Sequence, residues 1–345
     1  MDVIGLDIGT NLIKAVEVRK KSGSIELLNF SYAPAFKESL LSESSSDADN
    51  FARHLRKFIA DSGFTGTSVV ASFPETHVFT RVIQIPKMSE KEIEKAVFWE
   101  AEQYLPVSIE DVNLSFQVLP KDKESGASEE GKTEVLLVAA PKGLVARFIK
   151  ILEKSGLSPL GLEPESMSIA RSVYFKEEGS PATLIANIGY DATNLSVLVN
   201  QCIRFTRSIS TGGVSLTRAI SQDLNLEAKQ AEEYLKSYGL DETKMDGKIR
   251  SSIEPVFNVV LNEMRKSIAY FESRKSPRKV KRVVLCGGVS TIPGVLVYTA
   301  QYLGLEVQKA NPWRKIIVGD KFNSKELDEI APMFASSIGL VLKEV

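Results

Sequence analysis

The chain has 345 residues, 43% hydrophobic and 25% charged, with 43 Lys and Arg against 44 Asp and Glu for a formal net charge of −1. That composition excludes disorder and collagen-like fibre and gives no electrostatic footprint for nucleic acid, while no apolar run nears the ~20 residues that a membrane span requires. Two cysteines (Cys202, Cys286) and two histidines (His54, His77), far apart in sequence, exclude a disulfide framework and a zinc cage.

The first residues carry carboxylates, Asp2 and Asp7, where a signal peptide would carry positive charge, which predicts a cytoplasmic protein. Ile4 to Ile8 reads as a strand, Gly9 as a turn and Leu12 to Val18 as a returning strand, together a β-hairpin with a glycine tip. Ser42 to Asn50, rich in serine and acid, reads as a loop, and Val69 to Phe73 as a strand. Ser89 and Glu92 form an S-x-x-E start signal for a helix over about Glu90 to Leu105, which Pro106 ends. Ile93, Val97, Ala101 and Tyr104 bury one face of it. Trp99 projects about 200° from Val97 at about 100° per residue, so it either packs under a neighbouring element or anchors a partner. Lys121 to Lys132 reads as a solvated loop and Val135 to Ala140 as a strand.

A second hairpin follows at an offset of 180 residues, from Gly9 to Gly189: Leu184 to Ile188 leads in and Thr193 to Asn200 leads out. The repeat suggests two related lobes, each turning a glycine toward a shared cleft. Ser210 to Val214 opens a helix at Gly212 and Gly213, and Glu233 with Lys236 shares a face of the helix that ends near Gly239. Arg274 to Arg282 is basic and reads as an exposed helix-to-strand loop. Val283 to Cys286 is a strand, with Gly287 and Gly288 as the turn that leads toward a helix from Leu296 to Leu303. Ser336 to Val345 reads as a closing core helix, without the basic face of a membrane-surface helix. The whole is an α/β or mixed α+β chain.

Glycine tips let backbone N–H groups approach a polyphosphate. Gly9 and Gly189 suit this, Thr10 and Asn11 add side-chain donors, and the Lys14 ammonium can reach a β- or γ-phosphate. Asp7 suits a magnesium ion held through water. A Gly-Gly turn before a helix can lie against a nucleobase and favours anion. The P-loop, dinucleotide-fold and zincin motifs are absent from the sequence.

The order of D-I-G-T hairpin, I-G hairpin, G-G-V helix and Gly-Gly turn resembles the superfamily of actin, heat-shock chaperones and sugar kinases. The strings Val78 to Ser89, Val97 to Pro106 and Gly161 to Ser166 are similar to those of the PilM family, actin-like cytoplasmic components of type IV pilus assembly, and the likeness runs over nearly the whole chain. The resemblance implies a duplicated two-lobe actin-like ATPase fold, ribonuclease H-like in each lobe, with a small inserted FtsA-type 1C domain. It implies lobe 1A from 1–75, 159–178 and 325–345, domain 1C from 76–158, lobe 2A from 179–215 and 281–324, and subdomain 2B from 216–280. It further implies ATP with Mg²⁺ between the lobes, and docking of the cytoplasmic N-terminus of PilN, an inner-membrane protein that would hold the chain at the membrane. Other pilus assembly proteins and further copies of the chain are also implied partners, nucleic acid is not.

Carried over by motif, Gly9, Thr10, Asn11 and Lys14 match the first phosphate turn, Gly189 with Thr193 the second, Gly212, Gly213, Glu233 and Lys236 the nucleoside-contacting region, and Gly287 with Gly288 the adenosine motif. Glu163 stands where relatives carry acids near the connecting segment and is the candidate for orienting water. One departure is chemical. Asn187 stands where the superfamily usually carries Asp, which predicts nucleotide binding with weak or absent turnover. The alternatives are an active ATPase or small-molecule kinase, for which no catalytic base is identifiable, and an FtsA-like membrane-associated filament former.

Overall fold

The computed structural model describes residues 1–37, 40–42, 44–120, 131–173, 181–273 and 278–344. The chain opens with the hairpin β1 (Asp2–Ile8) and β2 (Leu12–Lys21), continues through β3 (Ser24–Pro34) and α1 (Ser45–Asp61), and returns along β4 (Ser68–Phe73). A small unit follows: β5 (Phe79–Pro86), α2 (Glu90–Glu102), β6 (Val112–Val118) and β7 (Lys132–Pro141). The chain then rejoins the first sheet through α3 (Lys142–Lys154) and β8 (Ser158–Pro164) and crosses into α4 (Glu165–Val173). The second half runs β9 (Ala182–Ile188), β10 (Thr193–Val199), β11 (Cys202–Ile209), α5 (Gly213–Leu224), α6 (Ala228–Tyr238), α7 (Lys248–Ser273), β12 (Val280–Cys286), α8 (Val295–Leu303) and β13 (Glu306–Lys309). Helices α9 (Ser324–Ile330) and α10 (Ala335–Val341) close it.

The sequence repeat is a repeat of topology. The first sheet has the order β3-β2-β1-β4-β8 and the second β11-β10-β9-β12-β13. In each, two antiparallel hairpin pairings are followed by two parallel ones. Both hairpins close alike: Gly9 N–H donates to the Leu12 carbonyl at 3.0 Å, and Gly189 N–H to that of Ala192 at 2.9 Å. Parallel strands buried on both faces explain the near-continuous apolar runs.

Helices α1 and α3 cover the first sheet through Phe51, Leu55, Phe148 and Ile151, which share a core with Ile4, Leu6 and Val69. The expected inserted segment 76–158 therefore contains one helix, α3, that packs with the first lobe. Helices α5, α7 and α8 cover the second sheet. On the other side of the first sheet, Trp313 and Ile316, expected within the 2A segment, join Val16, Val18 and Leu27 beneath Phe334, Ile338 and Val341. Every residue of α10 is buried, as a closing core helix requires. It crosses α4 and β1 at close quarters: a Cβ on Gly339 would lie 1.8 Å from the Ser168 carbonyl oxygen, and one on Gly5 2.1 Å from that of Ser337.

One polar stretch differs from expectation, and two others lie partly outside the described residues. Ser42 to Asn50 is largely helix, because Ser44 caps α1 by accepting from Asp47 N–H, and Asp47 suits the positive helix start. Residues 121–130 of the expected loop Lys121 to Lys132 lie outside the described residues, and Lys132 already belongs to β7. Residues 274–277 of the basic stretch lie outside them as well, while Lys281 and Arg282 are in β12, with Arg282 paired to Glu306 at 3.2 Å. Helix α2 starts as expected, with Glu92 accepting from the Ser89 N–H at 2.9 Å and hydroxyl at 2.7 Å, but it ends at Glu102, before Leu105.

Candidate functional site: the cleft between two hairpin tips

The two glycine tips face each other across a cavity of about 520 Å³, within the range of small-molecule sites. Asp7 and Lys14 lie directly opposite in the β1–β2 ladder. This cross-strand register makes an ion pair of 2.6 Å, and the other Asp7 oxygen accepts from the Ser72 hydroxyl at 2.8 Å. Asn187 and Asn194 occupy the matching positions of the second hairpin. The pair is charged in one copy and neutral in the other.

Burial opposes the charge on Lys14, but attraction to Asp7, their hydrogen bond and the nearby Glu165 outweigh it, so the ammonium is held above its usual pKa. Glu165, the first residue of α4, sits just past the carboxyl end of parallel strand β8, where ligands of such sheets collect. Burial, then repulsion from Asp7 against the pull of Lys14, pushes its carboxyl up to about 8. It accepts from the Asn187 amide at 3.0 Å. Burial also raises Glu75, although its carboxylate accepts from Ser166 N–H at 3.1 Å and hydroxyl at 3.0 Å.

The structure brings together, as cavity lining, Asp7, Gly9, Thr10, Asn11, Lys14, Asn187, Gly189, Gly213, Lys236, Gly287 and Gly288. It leaves others outside that lining. Thr193 is buried and donates to the Thr211 carbonyl at 2.7 Å. Gly212 is the point where the α5 start meets the second tip: a Cβ there would lie 2.6 Å from the Tyr190 carbonyl oxygen. Glu233 is exposed and turned aside, and the acid that pairs with Lys236 is Glu232, one helical turn back at 2.6 Å. Glu163 is enclosed by Arg171, at 2.8 and 3.0 Å, and Lys343 at 3.2 Å. Its place beside the cavity is taken by Glu165.

Sequence reasoning passed over Glu165, Glu75, Glu232 and Asn194. The available signal for Glu165 was Pro164, which ends strand alternation and starts a helix at the sheet's carboxyl edge. Asp191, two residues past Gly189, lines the cavity and accepts from the Thr10 hydroxyl at 3.1 Å.

These residues fit a nucleotide. Gly287, at φ +82°, lies so close to β9 that a Cβ would meet the Ile188 carbonyl oxygen at 2.3 Å, whereas a Cβ on Gly288 would meet only open space. The turn is thus a flat backbone surface beside the cavity. Among the described residues no three His, Cys, Asp or Glu side chains are placed to hold a metal directly. A magnesium ion here would rely on water and on ligand oxygens, as that ion commonly does.

Comparison with known proteins agrees with this architecture. A chain of a structure described as a PilM-PilN type IV pilus biogenesis complex is 31% identical, superimposes with a TM-score of 0.84, and is matched over 99% of this chain and 97% of its own. MreB5 of Spiroplasma citri bound to ADP shares the fold at a TM-score of 0.53 and 14% identity, over 99% of this chain and 95% of its own. Cell division protein FtsA of Neisseria meningitidis is 23% identical over 236 residues, 61% of this chain, which spans about half of that relative's length, at 54%. FtsA of Bacillus subtilis is 21% identical over 90% of this chain and 78% of its own length. Among the described residues no helix is long and apolar enough to cross a membrane. Residues 5–345 match the model of the family described as type IV pilus assembly protein PilM, and the chain belongs to that family.

Proposed function

We propose that this chain is a scaffold of type IV pilus assembly whose cleft binds ATP with Mg²⁺ and which docks the cytoplasmic N-terminal segment of an inner-membrane PilN protein. The observation that carries the reading is the match, end to end, to a chain of the PilM-PilN complex. The cleft supports its nucleotide half: Gly9, Thr10, Asn11 and Lys14 would hold phosphate from one lobe and Gly189 from the other. Glu232 with Lys236 and the Gly287–Gly288 turn would receive the nucleoside, while Thr193 and Gly212 brace the second tip behind them. Asp7 would hold a magnesium ion through water, and that ion would neutralise part of the polyphosphate charge.

Turnover is read as weak or absent. Asn187 has no charge to place hydrated metal or water, and its amide is already engaged with Glu165. The water-orienting duty first assigned to Glu163 moves to Glu165, since Glu163 is held in ion pairs.

For the partner, α2 offers an apolar pair. Trp99 is 68% exposed and Phe98 43% exposed, their rings edge to face at 6.2 Å. Trp99 therefore does not pack under a neighbouring element, and exposed aromatics of this kind form interface hot spots. The reading places the chain at the inner membrane through its partner. The test is a binding titration of a synthetic PilN cytoplasmic segment against the chain and its Trp99→Ala variant. A loss of roughly tenfold or more in affinity is expected, and unchanged affinity removes Trp99 from the interface.

A further inference from the structure

Strand β7 holds a run without a polar face, Val135 to Ala140, and a strand covered on one side only would alternate. Its two faces go to different bodies. Val135, Leu137 and Ala139 pack with Ile93, Val97 and Ala101 of α2. Leu136 faces the other way and joins Leu119 and Val82 in a core with Ile185, Leu198 and Ile203 of the second sheet. The small sheet is thus spliced into the first lobe through the backbone and pressed against the second lobe by its back.

Polar contacts fix this seam. Arg204 of β11 is only 8% exposed; it pairs with Glu134 of β7 at 2.6 Å and also donates to the Pro120 carbonyl. Two residues on, the Thr206 hydroxyl donates to the Thr80 carbonyl of β5 at 2.8 Å. The seam is also close to the cleft in sequence: Glu75 lines the cavity and β5 begins at Phe79.

We propose that the small sheet is a strut between the lobes, keyed by Arg204 against Glu134 and Thr206 against Thr80, so that a partner holding the small sheet sets the angle of the cleft. Opening or twisting the lobes must shear this seam or carry the small sheet along with the second lobe. Either way the cleft and the α2 surface share one equilibrium, which is what a coupling free energy between two sites requires.

The test is hydrogen exchange on the full-length chain without ligand, comparing wild type with Glu134→Gln and, separately, with the near-isosteric Thr206→Val. The strut predicts exchange at β5, β7 and β11 accelerated roughly tenfold, with β1 and β4 unchanged. Rates at β5, β7 and β11 within about twofold of wild type in both variants overturn it. A second measurement rests on the nucleotide and partner reading: the PilN segment should change ATP affinity at least about fivefold in wild type and less than about twofold in Glu134→Gln. The same ratio in both proteins contradicts the strut. Because the exchange experiment uses no ligand, a failure of either ligand to bind counts against the proposed function and leaves the strut to be decided by exchange.

Discussion

The Thr10 hydroxyl donates to the Asp191 carboxylate at 3.1 Å, joining the tips of two hairpins that are 181 residues apart in sequence. Each residue sits one or two places past its tip glycine, so the contact spans the place where phosphate from both lobes would converge. A phosphate arriving there competes for the hydroxyl and meets the negative charge of Asp191.

Asp191→Asn keeps an acceptor for Thr10 and removes that repulsion. ATP affinity measured by calorimetry should rise, by roughly three- to tenfold, or about 1 kcal/mol. Weaker binding would mean instead that Asp191 helps to hold the cation.

Glu165 predicts a pH dependence with a definite sign. Its carboxyl, raised from 4.5 to about 8 in the folded protein, holds a proton that the unfolded chain has already lost between those values. The folded state then binds more protons than the unfolded one, and this group makes stability fall as pH rises from about 5 to 8. Glu165→Gln removes that loss. In urea titrations of ligand-free protein, the variant should gain on wild type from pH 5 to about pH 8 and level off above it, and a gap independent of pH would contradict the assignment.

Gly339 tests the close crossing of α10 on α4. A methyl group there would lie 1.8 Å from the Ser168 carbonyl oxygen, and backbone meets backbone at that point, so no side chain can swing aside. Gly339→Ala should cost roughly 3 kcal/mol, at the upper end of overpacking, as read by chemical denaturation. Trp99→Ala, on an open helix face, should change stability by less than about 0.5 kcal/mol.

The hairpins were legible because an Ile-Gly tip between two β-branched arms is a local signal, and its recurrence exposed the duplication before any pairing was known. The same locality hid the rest. Glu163 and Glu165 are two residues apart, and alternation along a strand would put them on one face. Pro164 breaks that alternation, sending Glu163 to Arg171 and Glu165 to the cavity. Glu232 displaced Glu233 because Lys236 reaches back four residues on α6, not three. The serine-rich start of α1 passed for a loop because its first turn is polar and the small Ala48 is the one buried apolar residue before Phe51. The seam at Arg204 depends on a contact between strands 70 residues apart, which no window of sequence contains.

The central claim is that the cleft binds nucleotide through its first tip. A calorimetric titration of the chain with ATP and Mg²⁺ beside Lys14→Ala tests it most directly. The account predicts saturable binding by wild type that weakens at least roughly tenfold in the variant, since Lys14 is the cation held at the phosphate tip. No binding by wild type, or equal binding by both proteins, would contradict it.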